Sequence, residues 1–343
     1  MSDPDQTDQT FMRLALEEGQ RGEGLTSPNP SVGAVIVREG KVLGKGFHAK
    51  AGKPHAEVEA LADVRSRGHD PAGSSIYITL EPCSTTGKTP PCTKAILENG
   101  IQRVVWAAND PNPAHQGAAQ SLLTQAGLEV TTGVLAEQAE YLHRAFFKVQ
   151  RTGLPWMTVK TAMSLDGRIT RPPGESQWLT SKEARADVQV VRGQVDAILT
   201  SGRTARLDNP RLDYRGSRPE KKQPARLVYT TQAQAGLTAE AHLLTANEGG
   251  ETQFFSGDWE SHLRRLAKEG QQSILVEAGG QLIGQLLDQG LVDEWISYFA
   301  PLVTGGEVIA VAGIGTKELA ERPRLKNVTY HQLGPDIRMR GLL

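Results

Sequence analysis

Only two cysteines occur in 343 residues, and their setting constrains the chain more than any other feature. Cys83 and Cys92 lie nine positions apart, each directly after a proline, so a disulfide framework is not available and a metal or redox role is the question they raise. Upstream stands His55-Ala56-Glu57. Zinc accepts imidazole and thiolate ligands, and a catalytic site keeps three protein ligands with a fourth position open for water. His55, Cys83 and Cys92 supply that set. Singly, each has a bland reading, His55 as a helix cap and the cysteines as small buried hydrophobes. Jointly, with a glutamate two positions after the histidine, they read as a zinc site. A closed structural site would need a fourth ligand from His48, His69 or a more distant residue.

Both His55 and Cys92 open predicted helices, where free backbone amides and the helix dipole favour thiolate and aim ligands at a common point. Two thiolates offset the charge of the ion, so its water is acidified less than at a three-imidazole site and a neighbouring carboxylate becomes useful. Glu57 fits that role. In zinc deaminases such a glutamate is not a ligand; it carries protons from the water to the ring nitrogen and the leaving ammonia as NH2 gives way to C=O.

Around this pattern the periodicity is that of an α/β protein. Phe11, Leu14, Ala15 and Glu18 share one helical face. Val32 to Val37 and Val42 to Phe47 read as strands joined by a Glu39-Gly40 hairpin turn. A helix follows from about His55 to Arg67 with Val58, Leu61 and Ala62 inward, then a strand from Ile76 to Leu80, a helix from Thr93 to Asn99 and a strand from Val104 to Ala107. Helix, hairpin and alternating strand and helix imply a mixed sheet covered on both faces. A chain of this length calls for two domains of roughly 150 to 200 residues. The turn-rich joint Thr152-Gly153-Leu154-Pro155 divides it into residues 1–150 and 154–343. Beyond it, strand signals recur at Met157 to Ala162, Ala197 to Thr200, Arg226 to Thr230, Ile274 to Val276 and Ile296 to Phe299. Thr180-Ser181-Lys182-Glu183 has capping-box spacing and opens a helix carrying Arg192. The stretch 214–224, rich in Arg, Lys and Pro, reads as a surface loop. The second domain is thus also a three-layer α/β unit.

Thirty-eight basic against thirty-nine acidic residues leave a formal charge of −1. A polyanion binder needs a basic face, so long nucleic acid is a poor partner, while a local pocket for one phosphate stays open. The polar, acidic start Met1-Ser2-Asp3-Pro4-Asp5-Gln6 fits neither a secretory signal nor a transit peptide, and no apolar run reaches the ~18 to 20 residues that span a bilayer. The expected location is the cytoplasm, with no membrane partner and with a homo-oligomer left open.

Residues 28–37, Pro-Asn-Pro-Ser-Val-Gly-Ala-Val-Ile-Val, then His55-Ala56-Glu57, Thr79-Leu80-Glu81-Pro82-Cys83-Ser84, Gly87-Lys88-Thr89-Pro90-Pro91-Cys92 and Asp110-Pro111-Asn112-Pro113 resemble the bifunctional riboflavin-biosynthesis deaminase/reductase family. The eight-residue gap between the cysteines points to the pyrimidine-nucleotide branch of the zinc deaminases, since nucleoside and RNA deaminases typically carry two residues there. The resemblance implies a cytidine-deaminase-like first domain in which Asn29, His48, Lys88 and Asp110 hold the substrate. Many relatives have a histidine where this chain has Thr85, which puts one contact to the substrate phosphate in question.

Past the joint, residues 160–180, Lys-Thr-Ala-Met-Ser-Leu-Asp-Gly-Arg-Ile-Thr…Gly-Glu-Ser-Gln-Trp-Leu-Thr, with Thr204, Asp208-Asn209-Pro210-Arg211-Leu212, Glu277-Ala278-Gly279-Gly280 and Pro301, resemble the family's reductase domain, similar in fold to dihydrofolate reductase. On its own, Gly279-Gly280 between a strand and a helix reads as tight packing more readily than as an anion site, and neither a Gly-x-Gly-x-x-Gly nor a P-loop lysine is present. Likewise Arg192 and Arg215 alone read as solvated charges. The resemblance instead assigns Ala162, Trp178, Thr204, Asp208, Thr231 and residues 279–285 (Gly279, Gly280, Gln281, Leu282, Ile283, Gly284, Gln285) to NADPH. It assigns Lys160, Ser176, Arg192, Leu212, Arg215 and Glu277 to the substrate, with Lys160 and Glu277 positioning the sugar. Thr230, where relatives usually have aspartate, departs from the pattern near the cofactor ribose. Two reactions are implied: zinc-dependent hydrolytic deamination of 2,5-diamino-6-(5-phosphoribosylamino)pyrimidin-4(3H)-one, then NADPH-dependent reduction of the aminouracil nucleotide. A nucleic-acid or nucleoside deaminase with an accessory domain is the alternative, and a catalytically inactive binding protein a further one.

Overall fold

Glu39 and Gly40 both take left-handed backbone angles, φ of 51° and 74°. This is the two-residue turn whose twist matches a hairpin, and it fixes the register of the strands on either side. The computed structural model describes residues 4–85, 90–112, 117–169, 178–245, 249–315 and 323–343, and the chain divides into two units, Met1–Gly153 and Leu154–Leu343.

The first unit runs α1 (Pro4–Gln20), β1 (Gly33–Arg38), β2 (Lys41–Phe47), α2 (Ala56–Ser66), β3 (Ser75–Leu80), α3 (Cys92–Glu98), β4 (Arg103–Ala108), α4 (Ala118–Gln125), β5 (Glu129–Thr132), α5 (Ala136–Leu142) and α6 (Arg144–Thr152). Its sheet has the order β2-β1-β3-β4-β5. β1 lies antiparallel to β2 and β3, whereas β3, β4 and β5 are parallel, so the sheet is mixed. Successive side chains of a strand point to opposite faces. Accordingly Ala34, Ile36, Ile76, Ile78, Val104 and Trp106 pack under α2, α3 and α4, while Val35, Val37, Tyr77 and Val105 pack with Met12, Ala15, Leu16, Ala139 and Phe147 from the other helices.

One expectation changes here. Val58 and Ala62 of α2 are exposed, and the buried face is Ala56, Glu57, Ala60, Leu61 and Val64. The reason lies in β2. A Cβ at Gly46 would come within 2.3 Å of the Ala60 nitrogen and 2.5 Å of the Ala56 carbonyl oxygen, and one at Gly44 within 2.7 Å of the Ala60 oxygen. Two glycines therefore bring the helix backbone against the strand, and only small residues fit on the facing side.

The second unit continues with β6 (Trp156–Ser164), α7 (Lys182–Arg192), β7 (Ala197–Ser201), α8 (Gly202–Asp208), β8 (Ala225–Tyr229), α9 (His242–Thr245), β9 (Thr252–Phe255), α10 (Trp259–Lys268), β10 (Ser273–Val276), α11 (Gly280–Asp288), β11 (Glu294–Ala300), β12 (Lys326–Leu333) and β13 (Asp336–Leu342). Its strands follow the order β12-β13-β11-β6-β10-β7-β8-β9, parallel from β11 to β9 and closed on the other side by the antiparallel hairpin β12-β13. One face carries α10 and α11 over Met157, Val159, Leu199, Leu227 and Ile274; the other carries α7 and α8 over Ile198, Val228, Leu275, Ile296 and Tyr298.

The cap of α7 is Ser181, whose hydroxyl accepts from the Ala184 amide, one residue later than the capping-box spacing suggests. Thr180 instead offers its carbonyl to Arg185. The loop 214–224 is not wholly on the surface, since Tyr214 and Lys221 are buried and Lys221 Nζ donates to the Val195 carbonyl. Among the described residues no helix is long and apolar enough to cross a membrane.

Candidate active sites

In the first unit three separate segments converge. His55 precedes the first residue of α2, Cys83 follows β3, and Cys92 opens α3. His55 Nδ1 is 3.2 Å from Cys92 Sγ and 3.6 Å from Cys83 Sγ, and the three atoms lie within 4.8 Å of one another. Two atoms that ligate one zinc at ordinary lengths are about 3.5 Å apart, so the set is close enough to share a single ion. The Cys92 amide donates to Cys83 Sγ at 3.3 Å. A hydrogen bond from the Cys92 thiol, helped by His55 and that amide, lowers the Cys83 thiol, while the same bond and burial push Cys92 up. Two sulfurs beside an imidazole form a site that a divalent cation satisfies by holding both as thiolates.

Glu57 is 3% exposed, and burial followed by the Cys83 charge pushes its carboxyl upward. It also hydrogen-bonds Cys92, so the carboxyl adjoins the ligand cluster. His48 is 3% exposed, with its ring edge-on to His55 at 5.4 Å. Its Nδ1 faces the Pro54 carbonyl at 2.9 Å and therefore carries the proton, which leaves Nε2 to accept from Asn29 Nδ2 at 3.1 Å. Burial lowers the His48 pKa and keeps the ring neutral. Asn29 and His48 thus form a fixed pair beside the ligands. Asp110 sits past the end of β4, its Oδ1 accepting from the Asn112 amide. Lys88 lies outside the described residues.

In the second unit the centre is Glu277, directly after β10. Arg192, the last residue of α7, donates from Nε to Glu277 Oε1 at 2.7 Å and from Nη2 to Oε2 at 3.1 Å, and Lys160 Nζ of β6 reaches Oε2 at 3.2 Å. The two cations overcome the burial penalty and hold the Glu277 carboxyl at about 2. Arg192 also donates to the Asp213 carbonyl, and the Asp213 carboxylate, nearly sealed from solvent, binds Arg211 and Arg215. Leu212, expected at the substrate, takes a left-handed φ of 47° and buries its side chain in the core, so its backbone is what it can present. Ser176 lies outside the described residues.

The cofactor residues expected around α11 divide by exposure. Leu282 and Ile283 are core residues, and Gly280 and Gly284 are packed against 309–313, where a Cβ at Gly284 would meet the Ala312 oxygen at 1.9 Å. Gly279, Gln281 and Gln285 remain accessible. The N-terminus of α11 has no side-chain cap of its own. Thr204 Oγ1 accepts from the Gly279 amide at 3.2 Å and from Ser201 Oγ at 3.0 Å, which leaves its own proton to donate to an anion. Uncapped amides beside a hydroxyl donor suit a phosphate-bearing cofactor. Ala162 is half-buried on β6, Asp208 ends α8, and Thr231 and Trp178 are exposed, the latter under the Arg185 guanidinium. Thr230 accepts from the Gln232 amide and fills the space above Gly202.

Sequence reasoning missed Glu81, Asp213 and the β2 glycines. Glu81 and Asp213 act through backbone amides and neighbouring arginines rather than through a ligand motif, and only the glycine alternation in β2 could have signalled the close helix.

Comparison with known proteins matches residues 5–108 to the cytidine and deoxycytidylate deaminase zinc-binding region and residues 155–339 to the RibD C-terminal domain. The chain is 39% identical to riboflavin biosynthesis protein RibD of Escherichia coli (strain K12), over 96% of this chain and 98% of that protein. It is 35% identical to the protein of the same name from Aquifex aeolicus (strain VF5), over 96% and 97%. Among solved structures it is similar to Acinetobacter baumannii RibD, form 1, with TM-score 0.86 and 35% identity, covering 98% of this chain and 99% of that one. It is also similar to a Thermotoga maritima diaminohydroxyphosphoribosylaminopyrimidine deaminase/5-amino-6-(5-phosphoribosylamino)uracil reductase, with TM-score 0.88 and 30% identity, covering 98% and 99%. These matches bear out the expected pairing of a deaminase-like α/β domain with a reductase α/β domain.

Proposed function

This chain belongs to the RibD family of riboflavin biosynthesis proteins, and from that premise we propose which of its residues carry each of two successive reactions. It is a bifunctional deaminase and reductase that acts on small pyrimidine substrates. The diaminopyrimidine nucleotide loses ammonia in the first unit, and the resulting aminouracil nucleotide is reduced to its ribitylamino form in the second. The observation that carries the reading is the convergence of His55, Cys83 and Cys92 beside a buried Glu57, in a chain whose other half is a reductase domain.

His55, Cys83 and Cys92 would hold zinc, and uncapped α11 amides with Thr204 would hold the phosphates of NADPH. When bound, zinc supplies an acidified water and NADPH supplies a hydride. Glu57 takes a proton at its carboxylate oxygen, passes it to the ring nitrogen and assists departure of ammonia, so that water in and ammonia out balance the exchange of NH2 for C=O. Asn29 and His48, locked to each other, orient the pyrimidine, with Lys88 and Asp110 completing the contacts. In the second unit Lys160 and Glu277 position the sugar so that its first carbon meets the hydride and its ring oxygen gains a proton. Ser176, Arg192, the Leu212 backbone and Arg215 take the rest of the nucleotide, and the arginine forks suit its phosphate. Ala162, Trp178, Asp208, Thr231, Gln281 and Gln285 line the cofactor. Near-balanced formal charge and two free thiols support small-molecule partners and a reducing cytoplasmic setting.

Purified protein incubated with the diaminopyrimidine nucleotide, with and without NADPH, is expected to release ammonia in both cases and to consume NADPH only after deamination. Glu57→Gln is expected to keep its zinc, lose deamination by at least about 100-fold and reduce the pre-deaminated nucleotide at the unaltered rate. Equal loss of both activities would refute separate sites.

A further inference from the structure

Glu81 is 5% exposed and stands two residues before Cys83, where β3 gives way to the ligand-bearing turn. Its backbone amide continues the β3-β4 pairing by donating to the Ala108 carbonyl at 2.8 Å. Its carboxylate does something unusual for a strand end. Oε2 accepts from the Asp110 amide at 3.3 Å and from the Gly117 amide at 3.2 Å, and Oε1 accepts from the Ala119 amide at 3.3 Å. No cation is among these partners, and a buried carboxylate is held here by main-chain N–H groups.

The Gly117 and Ala119 amides belong to the N-terminus of α4, where four backbone donors lack intrahelical partners. Gly117 has a φ of 74° and no side chain, so α4 has no cap of its own. Glu81 supplies one from a different strand, and its charge also complements the positive end of the helix. The third amide is that of Asp110. One side chain therefore ties the start of α4 and the Asp110 backbone to the strand end from which the chain runs on to Cys83.

We propose that Glu81 is a positioning residue of the deaminase, setting Asp110 at its working distance from the metal-ligand cluster; this rests on the assignment of Asp110 to substrate binding. Charged hydrogen bonds to three amides hold the Asp110 backbone and the start of α4 on one side, while the short link Glu81-Pro82-Cys83 joins them to the ligand-bearing turn on the other. Asp110 then meets the substrate without an ordering step at the moment of binding, which is preorganisation and should be read in KM rather than in kcat.

The test uses full-length zinc-loaded protein and the diaminopyrimidine nucleotide. Glu81→Gln keeps the shape but replaces one accepting oxygen by an NH2 that faces amide donors. It is expected to raise the deaminase KM by about tenfold while kcat stays within about threefold, with one zinc per chain and reductase activity unaltered. Asp110→Asn is expected to raise KM as well, and the double variant to be no worse than the more impaired single one, because both act through one contact. An unchanged KM in Glu81→Gln, or penalties that multiply fully in the double variant, overturns the inference. A raised KM in Glu81→Gln with an unchanged KM in Asp110→Asn instead removes Asp110 from the substrate site and leaves Glu81 as the anchor of another contact. Should Glu81→Gln not accumulate with its zinc, Glu81→Asp, which keeps the charge but shortens the reach, carries the same measurements.

Discussion

Glu277 shows how much one side chain can be asked to do. It joins Arg192 from a helix and Lys160 from a neighbouring strand in a largely buried place. Such a triad contributes little net stability compared with apolar packing, but removing one member leaves uncompensated charge at a cost of about 3 to 5 kcal/mol. Glu277→Gln is therefore expected to lower reductase activity by at least about 100-fold, to spare deamination, and to destabilise the second unit by about 3 kcal/mol at neutral pH. Its pH dependence follows from the carboxyl being held at about 2 rather than at 4.5. A depressed acid stabilises the folded state fully above its unfolded value and loses that contribution as pH falls through the folded value. The stability gap between the unaltered protein and Glu277→Gln should thus be constant above pH ~5 and shrink towards pH ~2, as denaturant titrations at several pH values would record. A gap independent of pH would mean that Glu277 is not ionised by its neighbours.

At the scale of elements, α2 carries Glu57 on its first turn directly after His55 at its N-cap, and the depth of that turn is set by Gly46. Gly46→Ala would place a methyl 2.3 Å from one backbone atom and 2.5 Å from another, neither of which can rotate away. Helix α2 must lift. The expected result is a loss of about 1 to 3 kcal/mol, a lower zinc content and weaker deamination with intact reduction; metal analysis of the purified variant decides it, and full zinc content would show that the helix tolerates the shift. This also explains what could be read in advance. The hairpin, the β3 and β4 strands and the helices opening at His55 and Cys92 were legible because periodicity and turn chemistry act locally. The inward face of α2 was misread because Val58 is the bulkier residue, while the β2 glycines favour Ala56 and Ala60. β5 and β9 are short and β12 is largely exposed, so no alternation of apolar residues marks them. The zinc ligands were legible as residue types with a spacing. Glu81 was not, because its partners are main-chain amides 29 to 38 positions away.

For the molecule as a whole, near-balanced charge makes general repulsion a minor force close to neutrality, so the response to mild acid falls to individual buried groups. The first unit contains one that acts early. His143 is 2% exposed, between α5 and α6, with Nε2 against the Thr79 carbonyl at 3.3 Å and the Thr79 hydroxyl at 3.2 Å. Burial, reinforced by the Arg144 charge, lowers it from 6.5 to about 4. A base whose folded pKa lies below its unfolded value stays neutral in the fold but takes a proton on unfolding, so its contribution is present above pH ~6.5 and lost as pH falls towards 4. Glu277, in the other unit, begins to matter only below pH ~5. The His143 contribution should therefore be lost before that of Glu277 on acidification. Between pH 7 and pH 4.5 the unaltered protein is expected to lose about 2 kcal/mol more stability than His143→Gln, whose amide can keep a bond to Thr79 but cannot titrate. Comparing the two proteins cancels the acid release of metal, which is common to both. Parallel denaturation midpoints across that interval would show that the imidazole is solvated in the folded chain and that the early acid sensitivity lies elsewhere.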